Sequence, residues 1–253
     1  MSGDAALTAP GRRDGRDPDP AVSFFEFWPG WLFYTPVIAH CALMSLRYGS
    51  PTLLTAANPR ITAGGLCGES KTEILDQITG PARALVARYT TLHAPSAITE
   101  AGAALAAAGL AYPLVAKPDI GCNGTGVRML HATADLDRYL RAFPNGERLL
   151  VQEFIPHRFE AGLFYVRHPN ERRGRITSFT LKETPFVVGD GRSSLRELIL
   201  ADRRAGRVAH LYLPRLASRL NEVPRQGERV PLVFVGNHCK GAVFRNGADH
   251  ITP

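Results

Sequence analysis

An apolar strand that ends in a lysine and opens onto small residues is where phosphate chemistry would be sought first. In LVAKPDIGCNGTGVRML, residues 114–130, Lys117 and Pro118 close such a strand. Gly121, Asn123, Gly124 and Gly126 form the loop, and the chain re-enters a strand at Val127. Glycines adopt positive φ and let backbone N–H groups approach an anion closely. A Walker A loop needs Gly-Lys-Ser/Thr opening a helix, which is absent here. A dinucleotide fingerprint needs a helix after its last glycine, whereas Val127, Arg128 and Met129 follow Gly126. Two readings stay open: a hairpin flap over phosphates, or a plain surface hairpin.

A second segment, LLVQEFIPHRFEAGLFYVRH (residues 149–168), carries Glu153 at the end of one strand and Glu160 at the start of the next. Glu160 alternates with Gly162, Phe164 and Val166, and a carboxylate on an apolar strand face needs donors. The two hydroxyls of a ribose would supply them, and so would a salt bridge to Arg158 or Arg167. Lys182 alternates with Ser178 and Thr180 on a polar strand face, where an ammonium could meet phosphate. His238 and Lys240 lie between glycines in VGNHCKGAVF, residues 235–244.

The lysines carry more weight than their number suggests. Of 30 basic residues only Lys71, Lys117, Lys182 and Lys240 are lysines, so arginine is the default surface cation. A lysine in that background is kept for its compact point charge. Lys71 falls in the first turn of a helix, where the helix dipole disfavours a cation. Its charge therefore calls for an acidic side chain or an anionic ligand.

The elements that position these residues read as mixed α+β, with antiparallel strands dominating after residue 150. Residues 1–22, polar and rich in Gly, Pro and Asp, read as a disordered tail. FFEFWPGWLFY, residues 24–34, is an aromatic cluster expected in a packed core or an interface. Pro36 suits the first turn of a helix to about residue 47, and Glu69 or Ser70 starts another carrying Ile74, Leu75 and Ile78. Thr99 and Thr133 are read as caps of helices to 108 and 143, and Ser193 or Ser194 opens one to 200. Strands are expected over 113–116, 127–130, 149–155, 159–168, 175–182 and 230–235.

Composition removes several function classes. With 45% hydrophobic and 21% charged residues in 253, the chain can build a sizeable core. Four cysteines with no CxxC pair exclude a disulfide scaffold and most structural zinc sites. His40-Cys41 and His238-Cys239 look metal-like, but adjacent residues rarely share one ion. Cys122 would be a nucleophile only with a base that the sequence does not supply. The longest apolar run, residues 31–46, is interrupted by Pro36 and His40, so no membrane span is expected. Without a signal-peptide pattern the expectation is a soluble cytoplasmic protein. The net charge of +7 invites a nucleic-acid reading. Yet Arg192, Arg196, Arg203, Arg204 and Arg207 do not interleave with aromatics, and read as a solvated helix face.

Taken in order, these stretches resemble the ATP-grasp superfamily over roughly residues 81–250, through LVAKP, GCNGTG, LVQEF…FEAG, LKETP and VVGDGRSSLRELI. The last is also similar to the corresponding stretch of cyanophycin synthetase-like members, and FEFWPGW and AANPRITAGGLCGESK resemble an uncharacterised subgroup. The resemblance implies two α+β lobes clasping a nucleotide: residues 81–150 as the small lobe, 151–253 as an incomplete large lobe, and 23–80 as a preceding segment. It implies an ATP-dependent ligase joining a carboxylate to an amine or thiol through an acyl phosphate.

By position, Lys117 would contact the α/β-phosphates and the adenine, and the loop from Gly121 through Asn123 and Gly124 to Gly126 would close over the triphosphate. Glu153 and Phe154 would form the adenine hinge, Glu160 would hold the ribose, and Lys182 would reach the phosphates. His238 or Lys240 would steady the acyl phosphate and substrate. The implied partners are ATP and small carboxylate and amine substrates, with room for a homo-oligomer and no call for nucleic acid. Mg²⁺ is implied too, but only Asp249 stands as a late carboxylate and no Glu-x-Asn follows it. The expectation is a chain truncated relative to its family: a fragment, a split product, or a protein without catalysis. A non-catalytic ATP-binding module is the alternative function.

Overall fold

The computed structural model describes residues 28–157 and 160–251. The tail expected over 1–22, the start of the aromatic cluster, Arg158 and Phe159 lie outside them. The elements in chain order are α1 (Gly30–Tyr48), α2 (Lys71–Asp76), β1 (Tyr89–His93), α3 (Ile98–Ala107), β2 (Leu114–Pro118) and β3 (Arg128–Leu130). They continue as α4 (Thr133–Ala142), β4 (Arg148–Glu153), β5 (Glu160–Val166), β6 (Arg175–Glu183) and β7 (Phe186–Val188). The last are α5 (Leu195–Ala201), α6 (Ala209–Tyr212), β8 (Arg229–Pro231) and β9 (Val243–Asn246). The architecture is α+β, as expected, and the pairings are antiparallel before residue 150 as well as after it.

The chain forms two compact units. One joins Tyr34–Glu183 to the segment that begins at Val235, and the other is built on Thr184–Phe234. The first holds a four-stranded sheet in the order β1-β4-β2-β3 and a three-stranded sheet in the order β5-β6-β9. Leu114, Leu149 and Val151 from the four-stranded sheet pack with Ala101 and Leu105 of α3 and Leu136 and Leu140 of α4. The i, i+4 spacing on each helix presents one apolar face to that core. The second unit pairs β7 with β8 and packs Val187, Leu195, Ile199, Tyr212 and Val230 into a core of its own.

Several expectations are corrected. α1 begins at Gly30, so Pro36 lies inside it rather than in its first turn. None of its residues is buried and Trp31 is 72% exposed, which removes the packed-core reading for the described part of the aromatic cluster. α3 and α4 start one residue before and at the threonines read as caps, so Ala97 and Ala132 occupy the cap positions. At α4 the carboxylate of Asp135 reaches back to the N–H groups of His131 and Ala132 at 2.9 and 3.3 Å and ties the entering chain to the first turn. β8 stops at Pro231, because proline has no N–H for the ladder and Leu232 donates to Pro185 O instead.

Candidate functional site

Residues 119–127 join β2 to β3. Within them Thr125 N–H donates to Cys122 O at 3.1 Å, and both residues between carry positive φ: 56° at Asn123 and 66° at Gly124. That sign pattern is a type I′ turn, for which Asn-Gly is the favoured pair. Tyr139 of α4 donates to Gly126 O at 2.8 Å. Its phenol is pushed up to about 12 by burial, so it stays a neutral donor.

Two ammonium groups stand at the root of this turn. Lys117 donates from β2 to Gln152 Oε1 on the adjacent β4. Its ammonium is held below the ordinary lysine value, first by burial and then by the charge of Lys71. Lys71 donates to the carbonyls of Asp119 at 3.0 Å and Gly121 at 2.8 Å. Of the two partners expected for Lys71, an acidic side chain or an anionic ligand, the described residues supply no acid, and two carbonyl dipoles take its ammonium. Both lysines therefore have neutral hydrogen-bond partners here, and neither makes an ion pair among the described residues.

The three-stranded sheet supplies the second group. Register places Glu160 of β5 opposite Lys182 of β6, and Lys182 opposite Phe244 of β9. Directly opposed residues of antiparallel strands share a face. Lys182 Nζ accordingly lies 2.6 Å from Glu160 Oε1 and 5.8 Å from the centre of the Phe244 ring. Among the described residues the partner of Glu160 is thus a lysine on the next strand, 22 residues on, and not Arg167, one of the two arginines considered for a salt bridge; the other, Arg158, lies outside those residues. The His238 ring packs 5.4 Å from that of Phe244, and its buried Nδ1 has no hydrogen-bond partner among the described residues.

One short segment touches both groups. A Cβ on Gly236 would lie 2.2 Å from Glu160 Oε2, so a larger residue there would oblige this carboxylate to swing aside. Its neighbour Val235 and the stem of Lys240 border Gly124, at 3.4 and 3.9 Å from where a Cβ would stand. Residues 235–240 thereby connect the turn to the Glu160–Lys182 pair, and the helical turn His238–Lys240 sits within them.

Glu153 is placed differently from its neighbours in this list. Its carboxylate accepts from the backbone N–H of Arg88 at 2.8 Å and from Arg88 Nε at 2.9 Å, which lowers its pKa. Phe154 follows it just beyond β4 and is half-buried. Asp119, Gln152, Arg88 and Phe244 were missed from sequence. Asp119 had a signal, as the lone acid beside Lys117-Pro118; Phe244 had none, because β9 itself went unread. Among the described residues no three His, Cys, Asp or Glu side chains gather as metal ligands.

No family model matches the chain, and no curated protein matches it. Solved structures do. The VanG D-Ala:D-Ser ligase from Enterococcus faecalis is 23% identical over 39% of this chain and 27% of its own, with a TM-score of 0.31. A bifunctional glutathione synthetase from Pasteurella multocida is 18% identical over 72% and 25%, at 0.29. The D-alanine-D-alanine ligase from Helicobacter pylori is 13% identical over 67% and 55%, at 0.34. The chain thus spans between a quarter and little more than half of each of these proteins. At this degree of superposition the likenesses decide nothing about its chemistry.

Proposed function

We propose that this chain carries the nucleotide-binding part of an ATP-grasp enzyme, an ATP-dependent ligase that joins a carboxylate to an amine or thiol through an acyl phosphate. The observation that carries the reading is the segment 235–240, which borders the Asn123–Gly124 turn on one side and Glu160 on the other. The turn and Glu160, selected for phosphate and ribose chemistry, both border one strip of backbone that lies more than 70 residues further along the chain.

In this reading residues 81–150 form the small lobe and 151–253 the large one. The turn from Gly121 to Gly126 lies over the phosphates, with Lys71 and Lys117 supplying charge at its root. The Glu160–Lys182 pair is half-exposed on the carboxylate side, and such pairs contribute only about 0–1 kcal/mol. A nucleotide therefore separates it at small cost, with ribose hydroxyls taking Glu160 and phosphate taking Lys182. Glu153 acts through its backbone at the adenine, since Arg88 holds its carboxylate. His238, with an unmatched ring nitrogen, and Lys240 face the reacting groups of the substrate.

Titration calorimetry with ADP tests this. Lys117→Ala should weaken binding about 10- to 150-fold, the worth of a hydrogen bond to a charged group. Lys117→Arg should also weaken it, because a planar fork does not fit a point-charge site. Equal binding by wild type and Lys117→Ala would remove the site from this place.

A further inference from the structure

Asp119, the first residue after β2, engages every polar atom it has. Its N–H donates to Arg148 O at 3.1 Å, and its carbonyl accepts from Lys71 N–H at 3.2 Å and Lys71 Nζ at 3.0 Å. Oδ1 accepts from Thr72 N–H at 2.9 Å and from Thr72 Oγ1 at 2.7 Å. Oδ2 accepts from Ser70 Oγ at 2.7 Å and lies 3.0 Å from a guanidinium nitrogen of Arg148. A carboxylate offers about four lone-pair directions, and here four donors occupy them. The side chain is 1% exposed. Burial works to raise its pKa, but the bonds from Ser70 and Thr72 prevail and hold it low.

We propose that Asp119 is a positioning residue for the anion-facing turn: it clamps Ser70 and Thr72 to the end of β2 and so fixes Lys71 against Gly121. Ser70 and Thr72 flank Lys71 on both sides, so binding both of them sets where the lysine backbone runs. Its ammonium is then held by carbonyls 119 and 121, both belonging to the root of the turn. The clamp orders that root before any ligand arrives, and ordering in advance raises affinity by lowering the entropy lost on binding. The charge of its carboxylate is paired with the Arg148 guanidinium, which offsets its repulsion toward an anion. The identity of the anion rests on the nucleotide reading above; the clamp itself does not.

The test compares the full chain with Asp119→Asn and Ser70→Ala by amide hydrogen exchange and by calorimetry with ADP. Asp119→Asn turns an acceptor into a donor among donors. Amides 121–126 should then exchange at least about tenfold faster while those of β4 keep their protection. ADP affinity should fall about tenfold, with a more unfavourable binding entropy. Ser70→Ala should give the same pattern at smaller amplitude. Unchanged exchange at 121–126 in a folded variant would overturn the clamp, and so would uniform acceleration across β4, which marks a merely structural residue. If Asp119→Asn does not fold, Ser70→Ala decides by the same readouts. If the wild type takes up no ADP, the nucleotide reading fails, and the exchange data still decide the clamp.

Discussion

At the scale of single residues, the site depends on where charge is left unmatched. Lys71 and Lys117 repel each other and are bonded to a carbonyl pair and an amide, whereas Asp119 between them is spent on Ser70, Thr72 and Arg148. Net positive potential therefore collects at the root of the turn. Glu160 is the counterweight, and Gly236 is what leaves room for it. Gly236→Ala would place a methyl 2.2 Å from the Glu160 carboxylate, which must swing away from Lys182. ADP affinity should drop about tenfold, the loss of one charge-assisted hydrogen bond, while thermal stability holds because Glu160 is half-exposed. Calorimetry beside a melting curve reads both; undiminished affinity would take Glu160 out of the site.

At the scale of elements, the sequence showed its strong periodicities and hid its short or non-local ones. β2, β4 and β6 were legible because each alternates or runs apolar between clear breakers. β1, with Thr90 and Thr91 at its centre, has one buried residue and pairs only with β4 at the sheet edge. β9 is four residues long and owes its place to β6, some 60 residues earlier. Lys117, Glu160 and Lys182 could be picked out from strand alternation, but their partners depend on register across the sheets, which local pattern does not encode. The start of α5 was legible, since Ser194 and Glu197 form a reciprocal cap. Ser194→Ala should cost about 1 kcal/mol by denaturant unfolding. Just before it, Asp190 accepts from the N–H and hydroxyl of Ser193 and the N–H of Arg192, which lowers its carboxyl to about 2. A pKa depressed from 3.8 means stability that is full above that value and lost as pH falls toward 2. Asp190→Asn should flatten the acid limb of a stability–pH curve over that window, and an unchanged limb would refute the assignment.

At the scale of the whole molecule, two cores are built from different stretches of chain. Leu136, fully buried between α4 and the four-stranded sheet, belongs to one, and Ile199, fully buried on α5, belongs to the other. Leu136→Ala should cost about 2–5 kcal/mol through the lost contacts and the cavity left behind. Amides of β2 and β4 should then lose protection in hydrogen exchange while those of α5 keep theirs. Ile199→Ala should do the reverse, and joint loss in both variants would mean a single cooperative core. α1 lies outside either ledger, because none of its residues is buried. No described helix is long and apolar enough to cross a membrane.

The scarcity of lysine has a practical consequence. The four ε-amines of the chain all belong to residues that border the turn or face Glu160: Lys71 and Lys240 beside the turn, Lys117 at its root, Lys182 across from the carboxylate. A mild acylating reagent, blind to the 26 arginines, would thus form stable amides at these four lysines and at an amino terminus, once labile thioesters on the cysteines are removed with hydroxylamine. Mass shifts counted after such labelling become a direct occupancy gauge, one in which any compound that shields the amines announces itself without a assay for turnover.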